Sequence, residues 1–133
     1  MLDHERVVIE AACQRLAAAF CQTSDANEAD LYEALFTADA RFIRPDGELR
    51  TARAIGDALR QRPAAMGVWH LSGNAIVDVE GPNQASGVGN LMVVRHDRNT
   101  GVTQPPVYAS YRDEYVLTDE GWKIAQRQVR LAF

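Results

Sequence analysis

The period of the apolar residues changes once along this chain, near Val68. Before that point Ile9, Cys13, Leu16 and Phe20 repeat at helical spacing over residues 4 to 22, with Asp3 placed to cap the first turn. The polar stretch "QTSDANEAD" ends that helix. Leu31, Leu35 and Phe36 then suggest a short second helix running to "TADA". "RFIRPDGELR" reads as two strand-like pieces around a Pro-Asp-Gly turn. Thr51 caps a third helix whose apolar face is Ile55, Ala58 and Leu59, stopped at Pro63. After Val68 the pattern is that of strands: Val68–Glu80, Ser86–His96, Val107–Leu117 and Trp122–Phe133, separated by "EGPN", "DRNTGVTQPP" and "TDEG". Helices followed by a run of antiparallel strands define an α+β order. One sheet face must then be covered by the helices. The expected core is Ile9, Leu16, Phe20, Leu35 and Ile55 against that face.

At 133 residues the chain is read as one domain, residues 1–133. A net charge of −4, with no basic stripe, argues against nucleic acid. No apolar run approaches the ~20 residues of a membrane-spanning helix. The start "MLDHERVVIE" is charged from its third residue, unlike a signal peptide. Cys13 and Cys21 lie eight residues apart in one helix, about 12 Å along its axis, too far to pair with each other. Buried thiols fit a reducing compartment, and the expected location is cytoplasmic.

Chemistry is sought first in "GVWHLSGNAIVDVEG". In an unbroken strand His70, Ser72, Asn74 and Ile76 share one face, opposite Trp69, Leu71, Ala75, Val77 and Val79. The polar face either meets water or lines a wet pocket, where an imidazole can move a proton in either direction. Asp25, in "TSDAN", is either a turn-capping aspartate or a carboxylate that orients a base. Asp30 is a rival, better read as an N-terminal helix residue. His96 stands at a strand end before "DRNTG" and is either exposed or a second pocket histidine. Tyr111, Asp113 and Tyr115 alternate on one strand face. Asn90 and Met92 share the parity of His96. On the last strand Gln126, Gln128 and Arg130 share a face with Trp122 and Ile124, a mixed surface suited to a dimer contact. Three scattered histidines without short ligand spacing predict no metal site. The absence of a glycine-rich phosphate loop, a serine elbow or a cysteine nucleophile pattern predicts no cofactor.

"LYEALFTADARFIRPDGELRTARAIGDALRQRP", "WHLSGNAIVDVEG" and "YRDEYVLTDEGWKIAQRQVRLAF" together resemble the SnoaL-like branch of the nuclear transport factor 2-like superfamily over nearly the whole chain. The "LF…DA" segment and the closing "GWKI" strand are its most specific marks. The resemblance implies a cone-shaped α+β barrel, cystatin-like, with three N-terminal helices on a strongly curved mixed or antiparallel sheet around a deep pocket, dimerised through the sheet. Dehydratases, isomerases, cyclases and non-enzymes share that fold, so fold alone does not assign function. Within the superfamily the element order is similar to that of scytalone dehydratase-type members. That similarity implies Asp25, His70 and His96 as catalytic residues, with Asp25 accepting the ring N–H of His70 and raising its pKa. By strand face and position, Asn74, Asn90, Met92, Tyr111, Tyr115 and Arg44 are the candidate ligand-binding residues, with core or interface positions as the alternative. Tyrosines expected beside the aspartate and on the first strand are here Ser24 and Arg44. The expected function is acid/base proton transfer, as a lyase, isomerase or cyclase, on an apolar cyclic or aromatic small molecule. The alternatives are a non-catalytic ligand-binding module or a small structural subunit of an oxygenase.

Overall fold

The computed structural model describes residues 1–73 and 75–133. Helix α1 spans Asp3–Asp25. Its start is capped by Glu5, whose Oε2 accepts the Leu2 N–H at 3.0 Å, so Asp3 is the first helical residue rather than the cap. Asp3 and Glu5 place negative charge on the positive end of the helix dipole. Ile9, Cys13, Leu16 and Phe20 are all buried along one stripe, as their spacing requires. Both cysteines are free and buried. Burial, reinforced by the charge of Asp113, pushes the Cys13 thiol up to about 12, which makes it an inert core residue.

Helix α2 is only Ala29–Glu33, followed by strand β1, Phe36–Arg44. The "LFTADA" segment, expected to be helical, therefore belongs to the sheet. The reason is non-local: Phe36 pairs in parallel with Ile124, 88 residues later, and the Ile124 N–H donates to the Leu35 carbonyl at 2.8 Å. Strand β2, Gly47–Arg50, returns antiparallel to β1. Thr51 Oγ1 accepts the Ala54 N–H at 3.1 Å and opens helix α3, Ala52–Arg60. The remaining strands are β3 (Met66–Ser72), β4 (Ile76–Gly81), β5 (Gln84–Asp97), β6 (Val102–Thr103), β7 (Val107–Thr118) and β8 (Gly121–Leu131).

The sheet runs β2-β1-β8-β7-β5-β3, with β4 and β6 also paired to β5. Among the described residues only β1 and β8 pair in parallel, so the sheet is mixed. The predicted long strand Val68–Glu80 is broken into β3 and β4, which pair with the two halves of β5. Side-chain parity does not carry across the break: His70 is nearly buried, whereas Ile76 is 67 % exposed and Val77 is buried. Within β3 itself the expected packing is reversed. Trp69 and Leu71, expected on the packed side, are 53 % and 54 % exposed on the outer face. Ile9, Leu16, Phe20 and Ile55 join the buried core, and Leu35 packs against it.

Candidate active site

Asp25 is the last residue of α1, and His70 lies in the middle of β3. Two contacts join them. Asp25 Oδ2 accepts the His70 backbone N–H at 2.8 Å, and Oδ1 lies 2.5 Å from His70 Nδ1. An ionised carboxylate only accepts, so Nδ1 carries the ring proton and Nε2 keeps its lone pair. Nε2 has no hydrogen-bond partner among the described residues. The backbone bond fixes the carboxylate relative to the strand, and the side-chain bond fixes the ring relative to the carboxylate.

A second residue holds the turn that carries Asp25. Arg62, just after α3, donates from Nη1 to the Ser24 carbonyl at 2.7 Å and from Nη2 to Ser24 Oγ at 2.9 Å. It thereby adds a second donor to a carbonyl at the end of α1 that also accepts the Asn27 N–H at 3.2 Å. Ser24, standing where the resemblance expects a tyrosine, is thus the partner of an arginine.

The His70 ring has a lowered pKa. Burial is the largest cause; the bond to Asp25 pulls in the opposite direction, and the charges of Arg62 and Arg127 add to the lowering. The rise expected from pairing with a carboxylate does not occur, because desolvation of the imidazolium and two neighbouring guanidiniums outweigh one carboxylate. His70 is therefore a neutral imidazole at neutral pH, with an available basic nitrogen.

His70 lines a cavity of ≈ 570 Å³ between the helices and the inner sheet face. Its walls are largely apolar: Phe20 from α1, Phe42 from β1, Leu59 from α3, Leu91 and Val93 from β5, Ala109 from β7 and Val129 from β8. That is the size and character of a metabolite-binding pocket. Tyr32 of α2 also lines it, with its ring 5.2 Å from that of Phe20. Burial raises the Tyr32 pKa, so its hydroxyl stays protonated. Sequence reading missed Tyr32 because it sits in a helix of five residues with no readable amphipathic face.

The other expected site residues fall in three places. Arg44 lines the cavity. Asn90, Met92 and His96 have the opposite parity to the cavity-lining Leu91, Val93 and Arg95, and so sit on the outer sheet face. There the His96 ring bonds to Thr103 Oγ1 at 2.8 Å. None of these three is part of the cavity wall. Tyr111 and Tyr115 face inward but are core rather than cavity residues, 2 % and 1 % exposed. Asn74 lies outside the described residues.

Tyr111 and Tyr115 support a buried charge that the sequence analysis did not find. Arg127 is fully buried; its Nε and Nη2 donate to the two oxygens of Asp113 at 2.7 and 2.6 Å. Tyr115 donates to the same carboxylate at 2.7 Å. The guanidinium carbon sits 4.1 Å from the ring centroids of both Phe20 and Tyr111, a cation held between two aromatic faces. Burial alone would lower the Arg127 pKa, but the Asp113 charge outweighs it and keeps the value above the ordinary one. The tyrosine seats require glycine on β5. A Cβ at Gly89 would lie 2.5 Å from the Tyr111 hydroxyl oxygen, and one at Gly87 would lie 2.9 Å from the Tyr115 ring.

Among the described residues, no group of three or more His, Cys, Asp or Glu is placed to hold a metal ion. Nor, among the described residues, is any helix long and apolar enough to cross a membrane.

A helix-covered mixed sheet, with a cavity and a histidine–carboxylate pair in its wall, defines an α+β protein of the cystatin-like architecture. The chain belongs to the SnoaL-like domain family, which matches residues 5–128. No curated protein matches it. Solved structures that resemble it include a hexachlorocyclohexane dehydrochlorinase, LinA-type3, from Novosphingobium barchaimii LL02 (18 % identity, TM-score 0.86, 99 % of this chain and 92 % of that one). A candidate scytalone dehydratase from Novosphingobium aromaticivorans DSM 12444 aligns with 20 % identity, TM-score 0.86, and 99 % and 89 % coverage. An NTF2-like protein with a cystatin-like fold, also from Novosphingobium aromaticivorans, gives 21 %, 0.83, and 96 % and 84 %. At these identities the likeness is one of fold.

Proposed function

We propose that this protein is a lyase or isomerase that acts by proton transfer on a small molecule with an apolar, cyclic or aromatic body. The observation that carries the reading is the Asp25–His70 pair at 2.5 Å in the cavity wall, with Nε2 unengaged among the described residues. Nε2 takes a proton from a carbon whose C–H is acidified by a neighbouring electron-withdrawing group. The C–H electron pair becomes a new C=C bond, and a leaving group departs with its own pair. In an isomerisation the imidazolium instead returns the proton to another carbon. Asp25 stabilises the imidazolium as it forms and holds the tautomer. The protonated Tyr32 hydroxyl donates to the oxygen or leaving group on which negative charge develops. Two structural neighbours are named for loss of hydrogen chloride and loss of water, both reactions that such a base can begin.

The generic carbon acid 5-nitrobenzisoxazole tests this directly. Its ring opens on removal of one proton, and the product is coloured. The wild type is expected to turn it over with a rate that rises with pH to a plateau, with its midpoint below the ordinary imidazole value, since only the neutral imidazole is basic. His70→Gln should lower that rate by about 10²- to 10⁴-fold with folding intact by circular dichroism. Asp25→Asn should lower it less. Retention of full activity in folded His70→Gln would contradict the reading.

A further inference from the structure

The cavity of this acidic protein has a cationic wall. Three guanidiniums line it, Arg44, Arg62 and Arg95, against one carboxylate, Asp46, whose side chain is 77 % exposed. The chain as a whole carries −4. The three arginines are not equivalent. Arg62 is committed to Ser24. Arg44 Nε lies 3.5 Å from Asp46 and, although buried, has no hydrogen-bond partner among the described residues. The Arg95 side chain takes part in no ion pair or hydrogen bond among the described residues. Burial holds the Arg62 guanidinium below its ordinary value; Tyr32 and Asp25 oppose that lowering, and the like charges of Arg95 and Arg98 add to it more weakly. Three guanidiniums thus stand at this cavity against the exposed Asp46 and the His70-bound Asp25.

Register fixes the cluster relative to the base. His70 pairs with Val93, and Arg95 is two residues further along β5 on the same inner face. That is the diagonal cross-strand position, with backbones about 7–8 Å apart. An arginine side chain can therefore hold one end of a molecule whose other end lies against His70 Nε2.

We propose that the substrate carries a carboxylate, bound by Arg95 with Arg44 at the open end of the cavity, while its apolar body lies between Phe20, Leu91 and Val93 and presents a C–H to His70. This rests on the reading of the cavity as a substrate site, and it adds the substrate's charge. A planar guanidinium and a carboxylate form paired charge-assisted hydrogen bonds, and a neutral amide of the same shape forgoes the charge term.

Calorimetry with 2-naphthoate and 2-naphthamide, isosteric bodies differing in charge, tests it without any turnover. Wild type is expected to bind the carboxylate at least about tenfold more tightly than the amide. Arg95→Gln, which breaks no side-chain hydrogen bond or ion pair among the described residues, should abolish most of that preference, weakening carboxylate binding far more than amide binding. Arg95→Lys should restore part of it. His70→Gln should keep the preference. Equal binding of the two probes by wild type, binding of neither at millimolar concentration, or an unchanged preference in Arg95→Gln would overturn the proposal. A preference retained alongside a failed nitrobenzisoxazole assay would sink only the catalytic reading. Activity without a preference would sink only this one.

Discussion

Two buried polar constellations, Asp25–His70 and Asp113–Arg127–Tyr115, decide what happens at the residue scale. The second is structural, and its energetics are asymmetric. Removing one partner of a buried ion pair strands the other charge, at a cost of about 3–5 kcal/mol. Asp113→Asn should therefore lower unfolding stability by that order in urea titrations. The double substitution Asp113→Leu with Arg127→Met should recover much of it, because no charge is then left in the core. His70 gives stability a pH signature. Its folded pKa is lowered, so the unfolded chain binds the extra proton more readily. The neutral ring's contribution is full above about 6.5 and is lost as pH falls through that value toward the folded pKa. Comparison of thermal melts at falling pH should show a steeper loss for wild type than for His70→Gln. Asp25 and His70 were visible in sequence as residue types in suggestive places. Arg127 was not, because an extra residue intervenes: β7 pairs Glu114 with Gln126 but Tyr115 with Ile124, leaving Ala125 bulged. Strict alternation from Ile124 turns Gln126 and Gln128 inward; the bulge instead turns in Arg127 and Val129. The expected grouping of Gln126, Gln128 and Arg130 with Trp122 and Ile124 fails for the same reason.

Among the elements, the helices were legible where they are amphipathic and failed where they are short. α1 and α3 carry clear apolar stripes, and Thr51 caps α3 as its position suggests. The second helix was overextended because Leu35 and Phe36 fit a helical repeat as well as they fit a strand; only pairing with β8 separates the two. The same limit applies to β3 and β4, whose break has no strong local signal beyond Gly73. α2 and α3 are tied by Arg60, which bonds to Asp30 at 2.7 Å, Glu33 at 2.8 Å and Asp57 at 2.9 Å. Gly56 lets the two helices come this close. A Cβ there would lie 2.3 Å from Glu33 Oε1 and 2.9 Å from Glu33 Cβ. Alanine for glycine in an open helix gains about 1 kcal/mol. Here Gly56→Ala should instead lower the melting temperature, since Glu33 must move away from Arg60. A raised melting temperature would show that the α2–α3 contact gives way freely.

For the whole molecule, the outer sheet face is the surface left to account for. Trp69 and Leu71 on β3 and Tyr108 on β7 are half or more exposed there, beside the Gln126, Gln128 and Arg130 side of β8. We infer that two copies associate through this face, with Trp69 and Tyr108 as aromatic anchors in place of the inward-packing Trp122. Light scattering should give twice the chain mass at micromolar concentration, and Trp69→Lys with Leu71→Lys should return it to the monomer; a monomeric wild type contradicts the inference. The central claim concerns the inner face: His70 is a neutral, Asp25-oriented base whose free nitrogen faces the cavity. Nitrogen NMR of histidine-labelled protein, titrated with pH, tests it most directly. The account predicts that His70 at neutral pH is the tautomer protonated at Nδ1, titrates below the ordinary imidazole range, and loses that tautomer preference in Asp25→Asn. A ring protonated on both nitrogens at neutral pH, or one protonated at Nε2 alone, would contradict it.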